Sequence, residues 1–154
     1  MKRFIFSCAV LLFAAGCGSK SGGGAPEIAF GKDPCSRCGM IVSEARFASG
    51  YRDAQGESVA FDDLGEAFEA VGNTVGNDGG LLSKMYVAGM DDLKWLPMSE
   101  AHYVRVEGFA TPMGSGIAAF STAEQAGAFA ARHGASAKNF NDMRSLLREG
   151  RSRP

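Results

Sequence analysis

The chain has 154 residues, 45% hydrophobic and 21% charged, with 16 Lys+Arg against 17 Asp+Glu for a net charge of −1. That size fits one globular domain, or two very small ones sharing a core, and excludes a large enzyme barrel. The apolar content excludes a disordered chain, and the lack of a basic stripe leaves nucleic-acid binding without electrostatic support.

Residues 1–16 read as a removable export signal. Lys2 and Arg3 open it, Ile5 to Phe13 form a short apolar run, and Ala14-Ala15-Gly16 precede Cys17. The run is too short to cross a hydrocarbon layer of about 30 Å as a permanent helix, so export and cleavage are expected. Phe13-Ala14-Ala15-Gly16-Cys17 resembles a bacterial lipobox. That resemblance implies a lipid on Cys17 and a location at the extracytoplasmic face of a bacterial membrane (the periplasm in a Gram-negative cell). The Gly/Ser-rich stretch up to Pro26 suits a flexible tether, so residues 17–32 are assigned to the lipidated Cys and its tether. Loss of Cys8 and acylation of Cys17 would leave Cys35 and Cys38 as the thiols, too few for a disulfide-dense scaffold.

Pro34 and Gly39 punctuate Asp33–Met40 and predict a knuckle. Ala45–Asp53 reads as a strand with Phe47 and Tyr51 on one face. Ala54-Gln55-Gly56 is a tight turn, and Glu57–Phe61 returns to make a hairpin. Asp62 is expected to cap a helix over Asp63–Val71, where Leu64, Ala67, Phe68 and Val71 fall at helical spacing before Gly72. A Gly/Asn-rich loop, Asn73–Gly80, leads to a strand over Lys84–Ala88, and Gly89–Ser99 reads as irregular.

A second set follows. His102–Val106 alternates as a strand, Glu107–Gly116 is a long turn, and Gly116–Phe120 returns. Ser121 is expected to cap a helix over Thr122–His133, with Glu124 at the capping-box position and Gly134 as the stop. Ala135–Phe140 reads as a short strand and Asn141–Gly150 as a C-terminal helix. The order strand-strand-helix-strand thus occurs twice. This predicts an α+β fold of duplicated ββαβ units with helices packed on small antiparallel sheets. The halves are 33–90, with the knuckle, and 91–154, with the C-terminal helix. Neither is large enough to bury much surface alone, so a shared core is expected.

Cys35-Ser36-Arg37-Cys38-Gly39-Met40 is the strongest chemical signal, with two thiols and a thioether in six residues. Soft sulfur donors suit Cu(I), and thiolates also suit zinc. In an extended stretch residues i and i+2 point the same way, so Cys38 and Met40 can offer two sulfurs to one ion, with Gly39 permitting the bend. A zinc site takes about four donors. No second C-x-x-C or Cys/His pair supplies them, which disfavours structural zinc. Two alternatives stay open for Cys35 and Cys38: a thiol–disulfide oxidoreductase pair, and a structural disulfide.

Met113 lies in a Thr-Pro-Met-Gly-Ser-Gly loop with no evident need for a core methionine. Met85, Met90, Met98 and Met143 read as packing residues, and His133 as a favourable charge at a helix C-terminus. Asp62-Asp63 reads as a cap and Arg37 as solvated. No Ser/His/Asp order, phosphate-cradling Gly loop or paired-carboxylate motif stands out, so no enzyme is predicted.

From Cys35–Met40 onward the chain resembles the NosL family, the accessory lipoproteins of nitrous oxide reductase. The likeness takes in Cys17, the C-x-x-C-G-M knuckle, the hairpin leading to Phe61-Asp62-Asp63-Leu64, the Trp95 region, Pro112-Met113-Gly114 and the Phe120–Gly134 helix. It implies a duplicated ββαβ fold and a Cu(I)-binding chaperone that delivers copper to a client enzyme, with nitrous oxide reductase as the family's client. It implies Cys38 and Met40 as copper ligands, Met113 as the downstream ligand, and a less defined role for Cys35. The family pattern's His after that methionine is replaced here by Gly114-Ser115-Gly116, which removes a nitrogen donor from that loop.

Overall fold

The computed structural model describes residues 24–72 and 80–151. The signal segment, Cys17, the tether up to Gly23 and residues 73–79 of the expected Gly/Asn loop lie outside the described residues. Among those described, no helix is long and apolar enough to cross a membrane.

Two antiparallel sheets organise the chain. The first contains β1 (Ser49–Arg52), β2 (Ser58–Phe61), β3 (Tyr86–Ala88) and β4 (Trp95–Pro97) in the order β2-β1-β3-β4. The second contains β5 (His102–Arg105), β6 (Ile117–Phe120) and β7 (Ala137–Lys138) in the order β6-β5-β7. The helices are α1 (Leu64–Gly72), the short α2 (Leu81–Lys84), α3 (Ala123–His133) and α4 (Phe140–Arg151). In both halves the first strand lies between the second and the third, and a helix follows the second strand. The expected α+β duplication of ββαβ units is therefore present.

Several local expectations are corrected. Ala45–Phe47 winds as a 3-10 turn that buries Phe47, so the first strand begins only at Ser49. The stretch read as irregular contains β4, which pairs with β3 from Tyr86↔Pro97 to Ala88↔Trp95. A proline such as Pro97 is unusual within a strand. At the edge of the sheet its missing N–H costs nothing.

The caps also shift by one residue. Thr122, not Ser121, caps α3, and its capping-box partner is Gln125, not Glu124. Ser121 is otherwise engaged, its hydroxyl donating to the Asp92 carboxylate at 3.0 Å. At α1 the cap is Asp63, whose Oδ1 accepts from the Gly65 N–H at 2.7 Å, as an N-cap carboxylate does. Asp62 is left to face elsewhere.

The halves share one core. Leu64, Phe68 and Val71 of α1 cluster with Tyr103, Ile117, Phe140 and Met143. The Phe68 ring meets Tyr103 edge-on at 5.0 Å and stacks on Phe140 at 5.5 Å. Burying such a ring stabilises by about 1.5–3 kcal/mol. Tyr103 is wholly buried, and its hydroxyl donates to the Met98 carbonyl at 2.6 Å. Met85, Met98 and Met143 are buried and Met90 is partly buried, as packing residues should be. A smaller core of Val104, Phe120 and Phe129 lies under α3.

Gly116 closes the long turn into β6 at φ 67°, and an added Cβ would collide with the Val106 carbonyl oxygen. That oxygen is backbone and cannot swing away. Gly116→Ala should therefore cost about 2 kcal/mol or more, from left-handed strain and the collision together. Urea unfolding measures it; an unshifted midpoint would mean that the turn relaxes freely.

Candidate metal centre

The knuckle is a closed backbone loop. The Cys35 N–H donates to the Met40 carbonyl at 2.6 Å, and the Gly39 N–H donates to the Cys35 carbonyl at 2.9 Å. Gly39 takes φ 76°, a left-handed value that glycine adopts without steric cost. Pro34 bridges Ile41 across the loop base. The Ser36 N–H then donates to the Ala60 carbonyl at 2.8 Å. That bond lays the knuckle along β2, beside the corner where β2 passes into α1.

Two carboxylates wait at the corner. The Cys35 thiol donates to Glu66 Oε2 at 2.9 Å, and Cys38 Sγ lies 3.7 Å from Asp62 Oδ1. The ligand atoms of Cys35, Cys38, Asp62 and Glu66 all fall within 4.8 Å of one another. Cys35, Asp62 and Glu66 are buried, whereas Cys38 is exposed. Both thiols are free. Sequence reasoning missed both carboxylates. A signal for them existed: Asp62 and Glu66 are four apart at a helix start, and that spacing brings side chains to one face.

Burial pushes the Cys35 thiol up to about 12, and its bond to the Glu66 carboxyl adds to the rise against the opposing pull of nearby backbone N–H groups. Glu66 is also raised, first by burial and then by Asp62 beside it. Cys35 and Glu66 are thus held toward their protonated forms, and a cation binding to them would have to displace those protons. A raised thiol is a weak nucleophile at neutral pH, whereas thiol–disulfide enzymes depend on a lowered one. Cys35 thus lacks the activation that the oxidoreductase alternative requires.

Asp63, next to Asp62, reaches the other half of the molecule. Its Oδ2 accepts from the Thr111 hydroxyl at 2.7 Å and from the Met113 N–H at 2.9 Å. Burial opposes its ionisation, but the hydrogen bonds from Ser115, Thr111 and the Gly65 and Met113 N–H groups outweigh it and hold the carboxyl below the usual range. Two successive residues thus serve two partners, with Asp62 facing the Cys38 thiol and Asp63 clasping the Met113 loop.

Met113 lines a cleft of about 400 Å³ with Glu66, Asp63 and Arg37. Met113 is 47% exposed and Met40 52%. Neither is a core residue. Arg37 is not simply solvated; it pairs with Glu69 beside the cleft. Both partners are substantially exposed, so the pair contributes about 1 kcal/mol or less.

The corner, the knuckle and the Met113 loop all fall inside a match to the NosL family, which spans residues 29–147. No curated protein matches the sequence significantly. Among solved structures, the crystal structure of the copper chaperone NosL from Shewanella denitrificans superposes with a TM-score of 0.60 at 20% identity, covering 77% of this chain and 93% of that one. That likeness establishes a common fold. The family match covers both sheets and every residue of the site, and by it the chain belongs to the NosL family.

Proposed function

We propose that the protein is an extracytoplasmic Cu(I) chaperone, anchored to a bacterial membrane by a lipid on Cys17, that hands copper to nitrous oxide reductase or a similar copper enzyme. Cys38 supplies a thiolate, Met40 and Met113 supply thioethers, and Cys35 stands behind them as a second, buried thiol. The family and the copper chaperone of the same fold support this reading. The observation that carries it is the Asp62–Asp63 step, which joins the thiol pair to a loop bearing an exposed methionine. An exposed thioether has no packing purpose, and Cu(I) is the ion that prefers sulfur.

Cargo handling follows from exposure. Cys38, Met40 and Met113 are open to solvent, so a donor group of the client can approach while protein ligands still hold the ion. Ligands then exchange one at a time, and the ion is never bare. No turnover of a substrate is involved.

Met113→Leu should weaken Cu(I) affinity by about tenfold, because leucine keeps the shape but loses the sulfur. Stability should change by less than about 0.5 kcal/mol, since the side chain is half exposed. Competition with a chromophoric Cu(I) chelator reads the first effect and urea unfolding the second. Unchanged affinity with a large loss of stability would return Met113 to packing.

A further inference from the structure

Two exposed apolar side chains have no part in copper handling. Phe30 is 41% exposed and Ile41 47%. They belong to two stretches that pair: the Gly31 N–H donates to the Val42 carbonyl at 2.9 Å, and Pro34 bridges Ile41. Phe30 also lines a groove of about 550 Å³ with Pro26, Ile28 and Trp95. The acids beside them are engaged within the protein. Glu27 pairs with Arg52, and Asp33 Oδ2 accepts from the Ala29 N–H. Lys32 is exposed and, among the described residues, forms no salt bridge. The patch is thus apolar, with one unmatched positive charge.

The chain enters the fold at the same place. The Arg52 guanidinium donates to the Ala25 carbonyl at 3.1 Å, and the Ser58 hydroxyl accepts from the Glu27 N–H at 2.8 Å. Eight residue steps separate Cys17 from the pinned Ala25, a span of at most about 28 Å. That reach is no greater than the width of a small domain, so a lipid on Cys17 holds this end of the molecule toward the bilayer. We propose that Phe30 and Ile41 rest in the interfacial layer of an anionic lipid bilayer, with Lys32 against the headgroups. This rests on the lipid-anchor reading and deepens it: the anchor supplies proximity and the patch supplies orientation. Met40 precedes Ile41, so copper is then exchanged close to the membrane surface.

The test uses the lipidated protein, isolated whole from bacterial membranes and reconstituted into vesicles of phosphatidylethanolamine and phosphatidylglycerol. Flotation with the vesicles and the mass of the Cys17 peptide report the anchor. Trp95 is the one tryptophan of the chain and lines the groove beside Phe30, so it reports the face. Phospholipids brominated near the carbonyl end of the acyl chain should quench its emission relative to plain lipid. Phe30→Ser combined with Ile41→Ser should remove that loss while flotation is retained. Both side chains are exposed, so the unfolding midpoint should barely move. A protein that floats while Trp95 is equally bright in both lipids overturns the docking and leaves the anchor standing. Quenching that survives in the double variant overturns it as well. An unacylated Cys17 with no flotation removes anchor and docking together. Unquenched protein that sediments as a dimer, and as a monomer once both residues are serine, gives the patch to a second copy instead.

Discussion

Cys38→Ser should abolish tight Cu(I) binding. Serine offers a hard oxygen that does not ionise near neutrality in place of a soft thiolate, and Cu(I) discriminates strongly between them. The expected loss is on the order of a thousandfold or more, equivalent to about 4 kcal/mol. Because Cys38 is exposed and its Sγ stands a long 3.7 Å from Asp62 Oδ1, the fold should be unaffected and the unfolding midpoint nearly unmoved. A chelator competition that returns the same affinity for both proteins would remove this site from consideration. The free energy at stake here is that of the cargo and not of the fold.

Asp63→Ala should do the opposite and strike the fold first. The carboxylate caps α1 and holds the Thr111 hydroxyl and the Met113 N–H. Losing a cap costs about 1 kcal/mol, and leaving polar groups without their acceptor costs about 1–3 kcal/mol each. The expected destabilisation is about 3–5 kcal/mol, in the range that single substitutions reach only at such junctions. The pH dependence has a definite sign. Asp63 is held below its ordinary value, so its contribution is present above the unfolded carboxylate range and is lost as pH falls through the folded value. Asp63→Asn should therefore be clearly less stable than the unmodified protein at neutral pH, and the two should converge in acid. A constant gap from neutral pH into acid would show that shape, not charge, is what Asp63 provides. Glu66 works the other way: its raised value means that ionisation costs the fold as pH rises.

The fold was legible where a pattern is local. Leu64, Ala67, Phe68 and Val71 announce α1 by spacing alone, and all four are buried. The repeat of strand, strand, helix and strand announces the duplication. β4 was not legible, because Pro97 speaks against a strand until the strand is known to be an edge. The caps slipped by one residue because Ser121 and Asp62 are good capping residues that the tertiary structure uses for other bonds.

The site shows the same division. Its sulfurs lie within one short motif and could be read directly. Its carboxylates come from positions 24 and 31 residues further along than the thiols they meet. The bond from Ser36 to the β2 backbone, the Arg37–Glu69 pair and the packing of Cys35 against Ala60 and Phe61 bring the two stretches together. No composition or spacing rule encodes that register, although the four-residue interval between Asp62 and Glu66 was there to be noticed.

The duplicated architecture contains two matching strand-to-helix corners. At the first, Asp62 turns to the Cys38 thiol and Asp63 caps α1. At the second, Ser121 turns to Asp92 and Thr122 caps α3. The gestures are alike, but the second corner has swapped its acid for an alcohol and has no cysteine to meet. Twofold symmetry would put matching donors at both corners; among the described residues the thiols and carboxylates cluster at the first. A fold built twice can thus spend one corner on clustered donors and the other on holding its own strands and helix together.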